Sequence, residues 1–392
     1  MTNAEGSPPG QIPVNASLVK ESFAQLEQVA DKVTGLFYGR LFAEHPDLRA
    51  LFPLAMDRQR DLFFRTLAAI VWSVDCPEGL TASLPQLGRD HRRFGVQARH
   101  YPEFNRALLA TIREFSGPGW TEETAAAWEA TLQMVTQTMT EAAAADARQA
   151  PAWWLAEVIS HQRRAADLAV LTLRPSQPLS YLPGQYLSVQ SARWPREWRN
   201  YSAANAHRVD GTIDLHVRAI PGGMVSTALV HHTIPGETLL LGPARGGMTL
   251  PPDSERDLLC VAGGTGLAPV KAIIEQASTG VARRAITLVL GTRTESGYYD
   301  RRDLERLSAA VSSLEVITVV TDEPGANGAR RALPEVAAEH ARAMTDREIY
   351  VCGPPGMVRS TRAVLARLGV PPGRLHYDEP EPEIASSDGP QA

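Results

Sequence analysis

Leu258-Leu259-Cys260-Val261-Ala262-Gly263-Gly264-Thr265-Gly266-Leu267-Ala268-Pro269 reads as a buried strand running straight into a glycine turn and then a helix from Val270. Such a turn lets backbone N–H groups approach a pyrophosphate, and the helix amino terminus adds roughly half a positive charge toward it. The spacing departs from Gly-x-Gly-x-x-Gly, so alone it reads either as a phosphate cradle or as a tight turn. A second strand, Ile349-Tyr350-Val351-Cys352, ends in the same way, in Gly353-Pro354-Pro355-Gly356-Met357. That places Cys352, Gly353 and Pro354 at the carboxyl edge of the sheet, where ligands of open α/β sheets bind. Together the two turns point to a nicotinamide site built from Gly263, Gly264, Thr265, Gly266, Pro269, Cys352, Gly353 and Pro354. Taken singly, Cys352 reads equally well as a buried small residue.

Outward from this stretch the pattern stays regular. Strands at 258–262, 286–291, 315–320 and 348–352 alternate with helices, which predicts a parallel α/β sheet. Upstream, residues 168–173, 186–190 and 213–218 alternate apolar and polar, with turns at Leu182-Pro183-Gly184-Gln185 and Val209-Asp210-Gly211, and predict an antiparallel β-barrel. Between Val14 and Ala147 apolar residues recur at helical spacing: Val19, Phe23, Leu26 and Val29, then Val33, Phe37, Leu41 and Phe42. Six or seven helices are expected there, among them 57–74, 84–94, 101–115 and 121–147. The expected fold class is multidomain, with an all-α domain at 14–150, an antiparallel β-barrel at 151–253 and an α/β parallel-sheet domain at 254–378. Residues 1–13 and 379–392 are expected to be disordered tails.

Length and composition agree. A chain of 392 residues asks for two or three domains, and 44% hydrophobic with 21% charged residues is ordinary globular composition. A net charge of −5 offers no basic surface to nucleic acid. No apolar run approaches the roughly 20 residues that span a bilayer, and the amino terminus lacks a signal peptide's regions. A cytoplasmic monomer is expected, consistent with three scattered cysteines, Cys76, Cys260 and Cys352, that form no disulfide, zinc or iron–sulfur framework.

The barrel carries Arg199-Asn200-Tyr201-Ser202 downstream of Pro183-Gly184-Gln185-Tyr186, with Gly222-Gly223-Met224-Val225-Ser226 following about twenty residues later. In this order, with the two glycine turns behind them, these segments resemble the ferredoxin-NADP reductase family over residues 154–377. The resemblance implies FAD: Arg199 on the diphosphate, Tyr201 against the isoalloxazine with Tyr186 near it, and Ser202 close to flavin N5. Gly223, Val225 and Ser226 would form a second phosphate contact. The chemistry suits each role, because a guanidinium fork matches a diphosphate and an aromatic face matches a flat ring. NADH and NADPH both remain open. Arg293, after the second strand, reads either as a partner for a 2′-phosphate or as a solvated turn arginine.

In the helical third, Leu36-Phe37-Tyr38, Phe52, Gln59 and Asp90-His91-Arg92-Arg93-Phe94, leading to His100-Tyr101, resemble the globin domain of flavohaemoglobins. The resemblance implies haem b with His91 as iron ligand, Phe52 packed on the haem, Tyr38 and Gln59 as the distal pair and Phe63 on their side. Tyr101 would stand near the histidine. Of three histidines in this third, His91 best faces an apolar slot, since His45 adjoins Pro46 and His100 follows a helix break. Three departures stand out. Counted from Trp128, the family's proximal glutamate falls near Ala143, and the nearest acid, Glu141, is about 200° away round the helix, so Glu141 serves only after a register shift. Asp90 replaces a frequent lysine. The end, His376-Tyr377-Asp378-Glu379-Pro380, lacks the aromatic that family members place over the flavin.

By this resemblance the chain is an NAD(P)H-dependent nitric oxide dioxygenase acting on nitric oxide and O2. The alternatives are an NAD(P)H oxidase or a haem or flavin reductase with another acceptor, and a globin-based gas or redox sensor.

Overall fold

The computed structural model describes residues 15–280, 284–322, 332–342 and 346–378, so both expected tails, and Glu379 and Pro380 of the segment expected to lack the family's terminal aromatic, lie outside the described residues. The chain divides after Ala152 into two units.

The first unit is helical: α1 (Ala16–Glu27), α2 (Ala30–Glu44), α3 (Asp57–Trp72), α4 (Pro77–His91), α5 (Tyr101–Ser116) and α6 (Glu122–Ala147). Helix starts follow local chemistry: the Asn15 and Thr121 side chains accept hydrogen bonds from the amides of Leu18 and Thr124. Trp128, wholly buried, ties α6 to α1 by donating to Ser22 Oγ at 2.9 Å. The helix bearing His91 begins earlier than the sequence suggested, at Pro77 instead of Leu84, and continues through Pro85. It stops at His91, where a 3-10 turn (Arg92–Phe94) and left-handed Gly95 end it short of the expected residue 94. What holds α4 in place is its closeness to α6. A Cβ on Gly88 would lie 2.2 Å from the backbone oxygen of Met139, an overlap that no side-chain rotation relieves. Gly88→Ala is therefore expected to destabilise this unit by about 1–3 kcal/mol, read as a lower midpoint in thermal unfolding.

The second unit holds two sheets. The first contains β1 (Trp154–Ala165), β2 (Leu168–Pro175), β3 (Tyr186–Ser191), β4 (Arg199–Ser202), β5 (Ile213–Arg218) and β6 (Thr238–Arg245) in the order β4-β3-β6-β1-β2-β5, antiparallel throughout, with α7 (Met224–His231) between β5 and β6. A bridge from Ala203 to Leu215 joins the two edge strands and closes the barrel. The second sheet runs β11-β10-β7-β8-β9, all parallel: β7 (Asp257–Gly263), β8 (Ile286–Thr292), β9 (Leu314–Val320), β10 (Arg347–Cys352) and β11 (Leu375–His376). α8 (Leu267–Thr279) and α9 (Arg301–Ala310) bury one face, with Val270, Ile273 and Leu304 in its core. α10 (Leu333–Arg342) and α11 (Pro355–Arg367) bury the other through Val336, Val358 and Leu365. Strand order reverses between β7 and β10, and at such a switch point the carboxyl ends part to leave a crevice.

Candidate functional site

His91 is the last residue of α4, and its Nδ1 is 2.7 Å from the carbonyl of Leu87 one turn earlier. Burial lowers its pKa, so the ring is neutral; with Nδ1–H donating to that carbonyl, Nε2 keeps its lone pair for a metal. The other two histidines are engaged. His45 Nε2 lies 2.9 Å from Glu103, and His100 Nδ1 accepts from the Gln97 amide as a helix cap.

Tyr38, 4% exposed, stands among aromatic rings, with Phe42, Phe52 and Phe63 at centroid distances of 5.7, 5.4 and 5.7 Å. Gln59 Nε2 donates to its hydroxyl oxygen at 3.2 Å. The phenol is thus an acceptor within the protein, and among the described residues nothing takes its own proton. Burial raises its pKa, so that proton stays on. Haem fits this arrangement. The buried apolar side chains of the unit form two clusters instead of one: Tyr38, Phe52 and Phe63 belong to the first, while Leu87 and Tyr101 pack on the second.

Tyr101 and Glu141 line one open pocket of about 570 Å³ between α5 and α6. Burial pushes the Tyr101 phenol up to about 12. Glu141 is exposed and accepts from Gln137 Nε2 at 2.9 Å. The Nδ1 partner of His91 is a carbonyl instead of a carboxylate.

In the barrel, β3 and β4 place Tyr186 opposite Ser202, Leu187 opposite Tyr201 and Val189 opposite Arg199, so four of the predicted flavin residues share one strand pair. Arg199 Nη1 is 3.0 Å from Glu197 and donates to the Trp198 carbonyl at 2.8 Å; a diphosphate here would compete with Glu197 for the guanidinium. Burial raises the Tyr201 pKa and keeps the ring neutral. At α7, Gly222 has φ +72°, a conformation that suits glycine, and brings the chain into the helix. Ser226 Oγ donates to the Gly223 carbonyl at 3.0 Å and the Gly223 amide donates to the Ile220 carbonyl at 2.9 Å, so both fasten the turn, and what this segment can present to an anion is the backbone N–H of Val225 at the start of α7.

The two glycine turns meet at the switch point. A Cβ on Gly266 would lie 2.3 Å from the Cys352 carbonyl oxygen, and one on Gly263 would lie 2.5 Å from Met357 Sδ and 3.1 Å from Pro354. Gly264 needs φ +55°. Pro269 is buried in the first turn of α8. Burial pushes the Cys352 thiol up to about 12, which makes it a neutral contact, not a nucleophile. Arg293 is exposed at the end of β8; its carbonyl accepts from the Asp322 amide at 2.9 Å. Sequence reasoning gave Asp378 no role, yet its carboxylate accepts from the Gly247 amide at 3.2 Å, and its charge adds to burial in raising the Cys352 thiol. Tyr377 instead carries the Arg362 guanidinium 3.5 Å from its ring centre.

Comparison with known proteins adds to this geometry. Family models match the chain in three segments: globin (35–139), oxidoreductase FAD-binding domain (155–248) and oxidoreductase NAD-binding domain (260–363). The flavohemoprotein of Bordetella pertussis is 26% identical over 391 residues, 92% of this chain and 96% of that one. The ferredoxin–NAD(P)+ reductase component of a naphthalene 1,2-dioxygenase/salicylate 5-hydroxylase system from Ralstonia sp. is 34% identical over 221 residues, 54% of this chain and 64% of that one, less than two thirds of that relative's length. Among solved structures, a flavohemoglobin from Malassezia yamatoensis with bound FAD and heme superposes with a TM-score of 0.73 at 16% identity, covering 94% of this chain and 99% of the other. No described helix is long and apolar enough to cross a membrane.

Proposed function

That the chain belongs to the flavohaemoglobins, a globin followed by FAD-binding and NAD-binding oxidoreductase domains, is the premise from which we propose that it converts nitric oxide and dioxygen to nitrate with electrons from NAD(P)H. When bound, haem supplies the iron at which dioxygen is activated, and FAD converts a hydride into single electrons. The three domains are assigned to residues 14–150, 151–253 and 254–378. His91 Nε2 would ligate the iron. Arg199, Tyr201, Ser202 and the start of α7 would hold FAD, and the turns at Gly263–Gly266 and Cys352–Pro354 would hold the nicotinamide coenzyme.

The observation that carries the reading is the hydroxyl of Tyr38. It accepts from Gln59, keeps an unclaimed proton, and stands inside a ring of aromatic side chains. Dioxygen gains negative charge as it is reduced, and a fixed donor in an apolar pocket holds that charge. A hydrogen bond to a charged group contributes about 1.5–3 kcal/mol, so Tyr38→Phe is expected to release dioxygen roughly 10- to 150-fold faster, measured by flash photolysis or ligand mixing.

The reaction itself is tested by reducing the loaded protein anaerobically with NADH or NADPH, admitting dioxygen and pulsing nitric oxide. Stoichiometric nitrate over many turnovers is expected. Turnover indifferent to nitric oxide would overturn the reading in favour of a reductase serving another acceptor. The proximal side supports that second reading: a carbonyl partner on His91 and an exposed Glu141 give the imidazole less basicity than a carboxylate would.

A further inference from the structure

The seam between barrel and parallel sheet carries polar groups that neither nucleotide site uses. His216 on β5 is 4% exposed and shares a 2.8 Å hydrogen bond, through Nδ1, with the Tyr299 hydroxyl from the segment between β8 and α9. Around it, Lys271 of α8 meets Asp300 at 2.9 Å with both side chains buried, and Arg164 of β1 meets Asp303 of α9 at 2.8 Å. The Ala206 amide, beyond β4, donates to Glu275 of α8 at 2.9 Å. Three parts of the barrel are thus tied to α8, α9 and the loop before it.

Both ends of the His216–Tyr299 pair lead to the reacting groups. On the barrel side, Leu215 precedes His216 and bridges Ala203, which follows Ser202. On the other side, Tyr299 packs on the same apolar cluster as Cys352. Stability does not explain the pair. Among the described residues His216 Nε2 is buried with no partner, and leaving a buried nitrogen unpaired costs more than one neutral hydrogen bond returns. An apolar pair of the same shape would stabilise the seam at least as well. What only the hydrogen bond supplies is direction, because it fixes one ring against the other across the seam.

We propose that the His216–Tyr299 hydrogen bond is a positioning clasp that sets how closely the nicotinamide approaches the flavin, and so governs the rate of hydride transfer and not the binding of either cofactor. The proposal rests on the second unit's FAD- and NAD(P)-binding reading and is independent of nitric oxide chemistry. The step it serves moves a hydride, two electrons and a proton together, from C4 of NAD(P)H to N5 of the flavin, oxidising the first and reducing the second. The clasp contributes no atom.

Tyr299→Phe removes the bond and keeps the ring. In full-length protein loaded with haem and FAD, flavin content and NAD+ affinity are expected to match the parent, while the thermal midpoint falls modestly because His216 Nδ1 is left buried without its partner. Flavin reduction at saturating NAD(P)H is expected to fall at least tenfold, since a displacement of about 1 Å can cost 10²-fold, and the long-wavelength flavin–nicotinamide charge-transfer absorbance to weaken. His216→Leu should behave alike, and His216→Gln, which can still bond the hydroxyl, should recover rate and band. Unchanged rate and charge-transfer absorbance in Tyr299→Phe would overturn the clasp, as would a loss of rate accompanied by flavin loss, or a His216→Gln variant that recovers the midpoint and not the rate. If NAD(P)H fails to reduce the parent's flavin, the reading of the unit falls and the clasp with it.

Discussion

His91→Ala is expected to yield protein without a Soret band that still carries FAD and still passes electrons from NAD(P)H to ferricyanide. The magnitude follows from what else could hold iron. His45 is paired with Glu103 and His100 caps a turn through Gln97, so neither can take over without breaking its own contact. His91, in contrast, is prepared for the role: its helix aims Nδ1 at the Leu87 carbonyl, and burial keeps the ring neutral. Removing it takes away the only strong bond from this slot to a haem and leaves apolar packing alone. Haem content should drop by more than an order of magnitude. Added imidazole should restore part of the band, because the substitution leaves a hole of that shape at the end of α4. A normal Soret band in the variant would refute the assignment, and loss of FAD along with haem would show a folding defect instead.

Much of the architecture was legible in the sequence because period and punctuation agree in it. The parallel strands are short β-branched and leucine-rich runs, three of them with a glycine at or next to their end, and the observed β7, β8, β9 and β10 depart from the expected limits by one residue or less at every end. The helix bearing His91 starts seven residues before the expected Leu84 for a physical reason: although Pro85 removes a helical hydrogen bond, tertiary packing of Gly88 against Met139 holds α4 across it. Residues whose roles depend on neighbours far along the chain were not legible. Nothing around His216, Tyr299 or Asp378 marks them, since each acquires its partner only when strands distant in sequence pair. Glu141 shows the converse. An acid near the expected position was available to the eye, but helical geometry turns it to Gln137 and solvent.

The glycine turns make the sharpest prediction for the second unit. Gly266→Val is expected to abolish reduction of the flavin by NADH and NADPH alike while haem binding by the first unit persists. A single added Cβ at Gly266 would stand 2.3 Å from the Cys352 oxygen, 2.5 Å from its carbon and 2.6 Å from the Gly353 nitrogen. All three are backbone atoms at the end of β10, and no rotamer change moves them. Relief requires β7 and β10 to part at the switch point, or the start of α8 to lift, and either motion removes the backbone N–H groups aimed at a pyrophosphate. Valine's branch at Cβ makes the overlap harder to escape than alanine's. Flavin reduction at any coenzyme concentration should fall at least 100-fold, and dithionite, which needs no coenzyme, should still reduce the bound flavin. Retained reduction by NAD(P)H would mean that the coenzyme enters away from this crevice. A variant that dithionite cannot reduce, or that has lost FAD, would mean that the crevice is a keystone of the unit's fold before it is a binding site.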